Sequence, residues 1–199
     1  MNYLEDSLNF PNESIVLNSK IEHLQTKEMV TMLPNFNYFK DIFGKKWEAA
    51  MNKLTPISLV VFDIDHLPLY KETYGLELGD LTVKEIVIKV KSLLKGPDDL
   101  LAKFADGTFF ILLPETNINA ALKTAEIIRQ SIENMKIPHC QSITSNYVTV
   151  SVGVGTKTPF IWEDSNKFLK AVEQAMYIAK KNGRNQVIWN NVYLEEFID

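Results

Sequence analysis

Apolar residues along this chain keep two different periods, and the switches between them mark out its elements. Four consecutive apolar residues, Leu59–Phe62, predict a strand over Ile57–Asp65 that is buried on both faces, as a central strand is. That strand ends in two carboxylates, Asp63 and Asp65. Leu100–Phe104 and Thr108–Leu113 read as two strands folded back on each other through Ala105-Asp106-Gly107-Thr108. Asp-Gly is a strong hairpin signal and predicts a type I′ turn, in which both central residues take positive φ. Val148–Val154 alternates valine with Thr149, Ser151 and Gly153, which predicts a half-buried strand with an unusually small second face. Gln186–Trp189 reads as a short closing strand.

Between the strands the period lengthens to that of helices. Ile15, Val16, Ile21, Leu24 and Met29 suit a leading helix over about 14–29, which Met32-Leu33-Pro34-Asn35 breaks. A second helix over about 36–52 places Phe39, Ile42, Phe43, Trp47 and Ala50 on one side. A helical turn around 67–74 leads to Gly75, and a helix from Gly79-Asp80 to about Lys95 carries Val83, Val87, Val90 and Leu94. Gly96-Pro97 ends it. Thr116 or Asn117 caps a long helix to about Met135, and Phe168–Ala179 lines a last one stopped by Asn182-Gly183. Residues 1–13 show no period and read as an arm, and the acidic end YLEEFID reads as peripheral. The expected division is arm and leading helix at 1–29, main domain at 30–190 and tail at 191–199.

Strands separated by helices, with one internal hairpin, predict an α/β (α+β) sandwich with a palm-like or ferredoxin-like mixed sheet flanked by helices. A length of 199 residues fits one such domain, and 46% hydrophobic with 23% charged residues fits a sizeable core. The net charge of −4 argues against a nucleic-acid binder, whose footprint would be a basic face. A single cysteine, Cys140, excludes an internal disulfide. No apolar run approaches the ~20 residues that span a bilayer, and Met1–Glu13 has no apolar signal core, so a cytoplasmic location is expected.

Several short motifs, in order, resemble the GGDEF domain of bacterial diguanylate cyclases, which condense two GTP molecules into cyclic di-GMP. Glu28-Met29-Val30-Thr31-Met32-Leu33-Pro34-Asn35 stands where the family has D-x-L-T-G-L-P-N. Phe62-Asp63-Ile64-Asp65-His66 is similar to its D-I-D-H-F strand end, and Thr73-Tyr74-Gly75 with Gly79-Asp80 to its T-Y-G-H-x-x-G-D. Thr149–Val154 and Ala179–Asn185 resemble its T-x-S-I-G-V-A and A-K-x-x-G-R-N segments. The resemblance covers roughly Glu28 to Trp189. It implies a nucleotide-cyclase-like fold, with Asp63 as a metal ligand, Asp80 as a guanine contact, and Lys180 and Arg184 as phosphate contacts.

The signature departs from the family. Where members read R-Y-G-G-D-E-F, this chain reads Lys103-Phe104-Ala105-Asp106-Gly107-Thr108-Phe109. The resemblance implies a metal-binding carboxylate at Gly107 and a catalytic acid at Thr108. It also implies an asparagine reading guanine at Lys71, a phosphate lysine at Pro68, and an inhibitory-site arginine at Gly96, three residues before Asp99. A lysine at position 71 is expected to fill the base pocket and pair with Asp80 or Glu72.

The expectation is therefore a catalytically inactive GGDEF-like module, with no catalytic residue left in Ala105-Asp106-Gly107-Thr108-Phe109, serving signalling through a protein partner or an upstream sensory domain. No cofactor is required on this reading, and magnesium enters only with a nucleotide. A second expectation is a sensor that holds GTP or cyclic di-GMP through Asp80, Lys180 and Arg184 without turnover. A third is an altered cyclase in which Asp106 or Asp65 rebuilds the metal site. Simpler roles stand beside these. Asp63 and Asp65 can be solvated or cap a helix, Asp80 suits a helix N-terminus, Lys180, Lys181 and Arg184 suit a helix C-terminus, and His66 is structural.

Overall fold

The double-sided burial read from Leu59–Phe62 organises the molecule. In a computed structural model that describes residues 31–189, strand β1 (Ile57–Ile64) is buried along its whole length. It follows helix α1 (Phe36–Lys53), whose first turn is capped by Asn35 Oδ1, accepting Tyr38 N–H at 3.0 Å. Helices α2 (Leu67–Tyr74) and α3 (Leu76–Leu93) come next, then the hairpin β2 (Leu100–Ala105) and β3 (Thr108–Pro114). Helix α4 (Ile118–Glu133), strand β4 (Val150–Lys157), helix α5 (Ser165–Lys181) and strand β5 (Val187–Trp189) complete the described chain. The leading helix expected at 14–29 and the acidic tail lie outside the described residues.

The sheet order is β2-β3-β1-β4-β5, antiparallel except for the β4–β5 pair. Side chains alternate faces along a strand, and two cores result. Val60, Phe62, Phe109, Ile111, Val152 and Val154 face α3 and α4. Leu59, Val61, Phe110 and Leu112 face α1 and α5, where Phe43 and Phe168 each pack on Trp47. Each such fully buried large apolar side chain contributes about 1.5–3 kcal/mol.

Three expectations change in detail. β4 is buried on both faces, not half-buried. Its small residues are there because α5 lies directly on the strand: a Cβ on Gly153 would stand 2.4 Å from Met176 N and Val172 O. The hairpin turn is not type I′. Gly107 has φ 84° but Asp106 is not among the left-handed residues, and the pairing shifts register between Lys103 and Ala105. Helix α3 begins at Leu76 rather than at Gly79, with Gly75 at φ 92° as the joint that redirects the chain out of α2. Asn117, not Thr116, caps α4 by accepting Ala120 N–H, while the Thr116 hydroxyl donates to Pro114 O.

Candidate functional site

β1 carries its two acids to one end of the sheet, and each meets a different environment there. Asp63 keeps to the side of Leu59 and Val61 and is buried. Its Oδ1 lies 2.7 Å from Lys180 Nζ at the end of α5, and its Oδ2 accepts the Thr108 hydroxyl at 2.5 Å. Thr108 sits directly opposite Asp63 in the β1–β3 register, so the hairpin delivers it. Burial raises the Asp63 carboxyl above its ordinary range, against the opposing pull of the Lys180 and Thr108 bonds. Asp65 is a structural post. It accepts the hydroxyls of Thr149 and Ser151, both at 2.7 Å, and the Asn185 backbone N–H at 3.2 Å. The charge is thereby solvated by protein donors, which is how a buried carboxylate is tolerated.

A second cluster forms on the far side of the hairpin turn. Lys71 leaves α2 and runs its methylenes over Gly79, where an added Cβ would come within 2.4 Å of Lys71 Cγ. Its ammonium lies 3.0 Å from Asp80 Oδ1 and bonds both oxygens of Asp106, at 2.9 and 3.1 Å. The expected pairing with Asp80 is present, and the second partner is Asp106 of the turn. Bonds to the two carboxylates hold the Lys71 ammonium above its usual range, although burial opposes them.

The remaining candidates flank these two clusters. His66 caps α2 in a left-handed conformation, φ 56°, with Nε2 3.1 Å from Thr144 Oγ1. Burial holds its imidazole below the usual range, and the nearby Arg184 guanidinium adds to that. Arg184 follows α5 in a left-handed run with Gly183 and Asn185, and its N–H closes on Ala179 O at 3.0 Å. Lys181 lies over the Tyr177 ring at 4.9 Å. Among the described residues, no three His, Cys, Asp or Glu side chains gather where they could hold a metal ion. Asp63, with both oxygens engaged, a threonine hydroxyl and an ammonium do not supply the oxygen octahedron that magnesium demands. Asp106 does not help here, because its carboxylate is turned to Lys71.

Two partners were not read from the sequence. Thr108 registers there only as a missing acid, yet antiparallel pairing of the hairpin with β1 is enough to set it opposite Asp63. The Lys71–Asp106 contact spans 35 positions and has no local signal.

An open mixed sheet that brings acids out on its central strand, beside a hairpin turn and a cationic helix end, defines a nucleotide-cyclase-like palm domain. Within that class the chain belongs to the GGDEF family: the profile described as "Diguanylate cyclase, GGDEF domain" matches residues 27–186. The chain is 28% identical over 173 residues to diguanylate cyclase A of Treponema denticola, covering 85% of this chain and 46% of that protein. It thus spans less than half the length of the curated relatives it matches. Its fold is similar to the coiled coil and GGDEF domain of DgcB from Caulobacter crescentus, crystallised with c-di-GMP. The TM-score is 0.79 at 23% identity, covering 89% of this chain and 92% of that one. Diguanylate cyclase SiaD from Pseudomonas aeruginosa, solved with its activator SiaC, gives a TM-score of 0.72 at 24% identity, covering 89% and 66%.

Proposed function

We infer that this chain is a GGDEF domain without cyclase activity, serving as a signalling or protein-interaction module in regulation linked to cyclic di-GMP. The observation that carries this reading is Lys71, which fills the space over Gly79 and ties Asp80 to Asp106. The family resemblance implies a guanine base in that space, held by the Asp80 carboxylate. The hairpin supports the same reading, because Gly107 has no ligand atom and Thr108 donates a hydrogen bond to Asp63 instead of supplying a second carboxylate. Two-metal nucleotidyl transfer requires ions that stabilise both the attacking and the leaving oxygen. Losing one preorganised stabilising group typically costs ~10²–10³ in rate, and several groups are altered here together. In place of catalysis, recognition by a protein partner or coupling to a sensory domain is the role assigned, and the SiaD complex gives a precedent for a GGDEF relative that engages a protein. Incubation of the full chain with GTP and Mg²⁺ or Mn²⁺ tests the reading. No linear or cyclic dinucleotide should form, and turnover abolished by Asp63→Ala would refute it.

A second reading rests on the cations. Lys180 and Arg184 stand near His66 at this end of the sheet, with Asp63 pairing Lys180 and Asp65 opposing their charge. A nucleotide held there by its phosphates, without reaction, would make the domain a sensor. Calorimetric titration with GTP, GDP and cyclic di-GMP decides it, and flat traces at high concentration end it.

A further inference from the structure

The end of the sheet remote from Asp63 exposes apolar side chains on a braced turn. β4 ends there at Lys157, which stands opposite Ile57, and the chain then turns through Phe160–Glu163. The Glu163 N–H closes the turn on Phe160 O at 3.0 Å, and the Glu163 carboxylate accepts the Phe160 N–H at 2.8 Å. The same carboxylate pairs with the buried Lys157, which ties the turn to the end of β4. Ile161 and Trp162 occupy the two central positions and are 82% and 79% exposed, with the Phe160 ring stacked on Trp162 at 5.4 Å. Leu54, also exposed, lies at the same end, three residues before Ile57. Helix α5 starts directly after the turn, and its exposed positions are Asn166, Lys167, Lys170, Gln174, Tyr177 and Lys181. At helical spacing they form one stripe, with three lysines and no carboxylate. Of the nearby acids, Asp164 is spent on capping the helix through the Asn166 N–H at 2.8 Å, and Glu173 is half-buried. The stripe is thus cationic in a chain whose overall charge is −4.

We propose that this face docks on an anionic lipid surface, with Ile161 and Trp162 entering the headgroup layer and Lys167 and Lys170 meeting its negative charge. Tryptophan suits that layer, because its ring is apolar while its N–H stays within reach of water. Lysines beside an apolar anchor add the electrostatic attraction that a small inserted area needs for stable binding. An acidic protein would satisfy the lysines equally well, but it would need a pocket shaped for two side chains projecting from a convex turn. A bilayer takes up projecting side chains of any shape. No helix among the described residues is long and apolar enough to cross a membrane, so the contact is peripheral. The proposal is independent of whether the chain turns over nucleotide, because none of these residues belongs to the clusters around Asp63 and Lys71.

The test is cosedimentation of the full chain with vesicles of phosphatidylcholine alone or mixed with phosphatidylglycerol, alongside tryptophan fluorescence. The mixed vesicles should bind the chain and shift its emission to the blue, while the neutral ones bind at least about tenfold more weakly. Raising salt to about 0.5 M should weaken binding, since exposed charges are then screened. The double variant Lys167→Glu, Lys170→Glu should weaken it at least about thirtyfold. Ile161→Ser with Trp162→Ser should weaken it at least about tenfold. Both variants change exposed positions and should leave the melting temperature in place. Trp162→Phe should keep binding yet lose the blue shift, because Trp47 is buried and does not report the surface. The proposal fails if mixed vesicles capture no chain up to about 1 mM lipid, or if either double variant binds as wild type does. It also fails if a polyglutamate peptide produces the same blue shift, which would assign the face to an acidic protein. A dimer in solution that Ile161→Ser with Trp162→Ser dissociates would overturn it too, since a second copy would then cover the turn.

Discussion

Replacing Lys71 by asparagine is the most informative single change, because it removes both the charge and the methylenes that occupy the space over Gly79. The Lys71 side chain is only 13% exposed, whereas its partners Asp80 and Asp106 are 45% and 61% exposed. Solvent screening of the two acids limits each pair to about 0.2–1 kcal/mol. Loss of packed methylene adds something under ~0.8 kcal/mol for each group removed, since burial here is partial. The total is a destabilisation of about 1–2 kcal/mol, equivalent to a fall in Tm of about 2–8 °C for a domain of this size. Thermal melts of wild type and Lys71→Asn measure it, and a double-mutant cycle with Asp106→Ala isolates the coupling. In parallel, calorimetry with GDP should show affinity rising at least about tenfold in Lys71→Asn, as the base gains room and Asp80 becomes available. A variant as stable as wild type, or a wild type that binds GDP equally well, would refute the assignment of Lys71 as the occupant of the pocket.

Other substitutions test the remaining contacts. Gly107→Glu should not create activity. It should destabilise the chain by about 1–3 kcal/mol in urea titration, because a side chain at φ 84° is strained and its Cβ would stand 2.8 Å from Leu67 Cδ2. Gly153→Ala should cost about 1–3 kcal/mol or more by forcing α5 off β4, and an unchanged Tm would contradict the close approach. The folded-state pKa of Asp63 is raised, so the native state binds its proton more tightly than the unfolded chain does. Stability from this group is therefore greatest at low pH and declines as pH rises from about 3.8 through the folded value. Asp63→Asn should flatten that limb of the stability–pH curve. Glu126 behaves oppositely: Arg129 lowers its pKa, and the stability it lends above about 4.5 is lost as pH falls, a limb that Arg129→Ala should remove.

The parts of the fold that were legible in the sequence are those where burial alone selects the residue. Leu59–Phe62 announced a central strand because both of its faces pack on helices. The helical stripes announced α1, α4 and α5 for the same reason. The misreading of β4 is instructive. Ser151 and Gly153 look like a polar or exposed face in an alternation count, but Gly153 answers to the α5 backbone and Ser151 to the Asp65 carboxylate, and a count of polarity registers neither. The acids Asp63 and Asp65 were visible as candidates. Their difference was not, because it depends on hydroxyls from β3 and β4 that only the strand register brings to them. The pairing of Lys71 with Asp80 was foreseeable from residue type. The lysine's grip on Asp106 was not, since it depends on where one hairpin turn comes to rest beside α2.

The doubly held ammonium of Lys71 also bears on how this domain can change over generations. Removing the lysine alone sets two carboxylates, Asp80 and Asp106, near one another with nothing between them. An acid placed at position 107 alone collides with Leu67. Each single step toward the family signature therefore passes through a less stable chain.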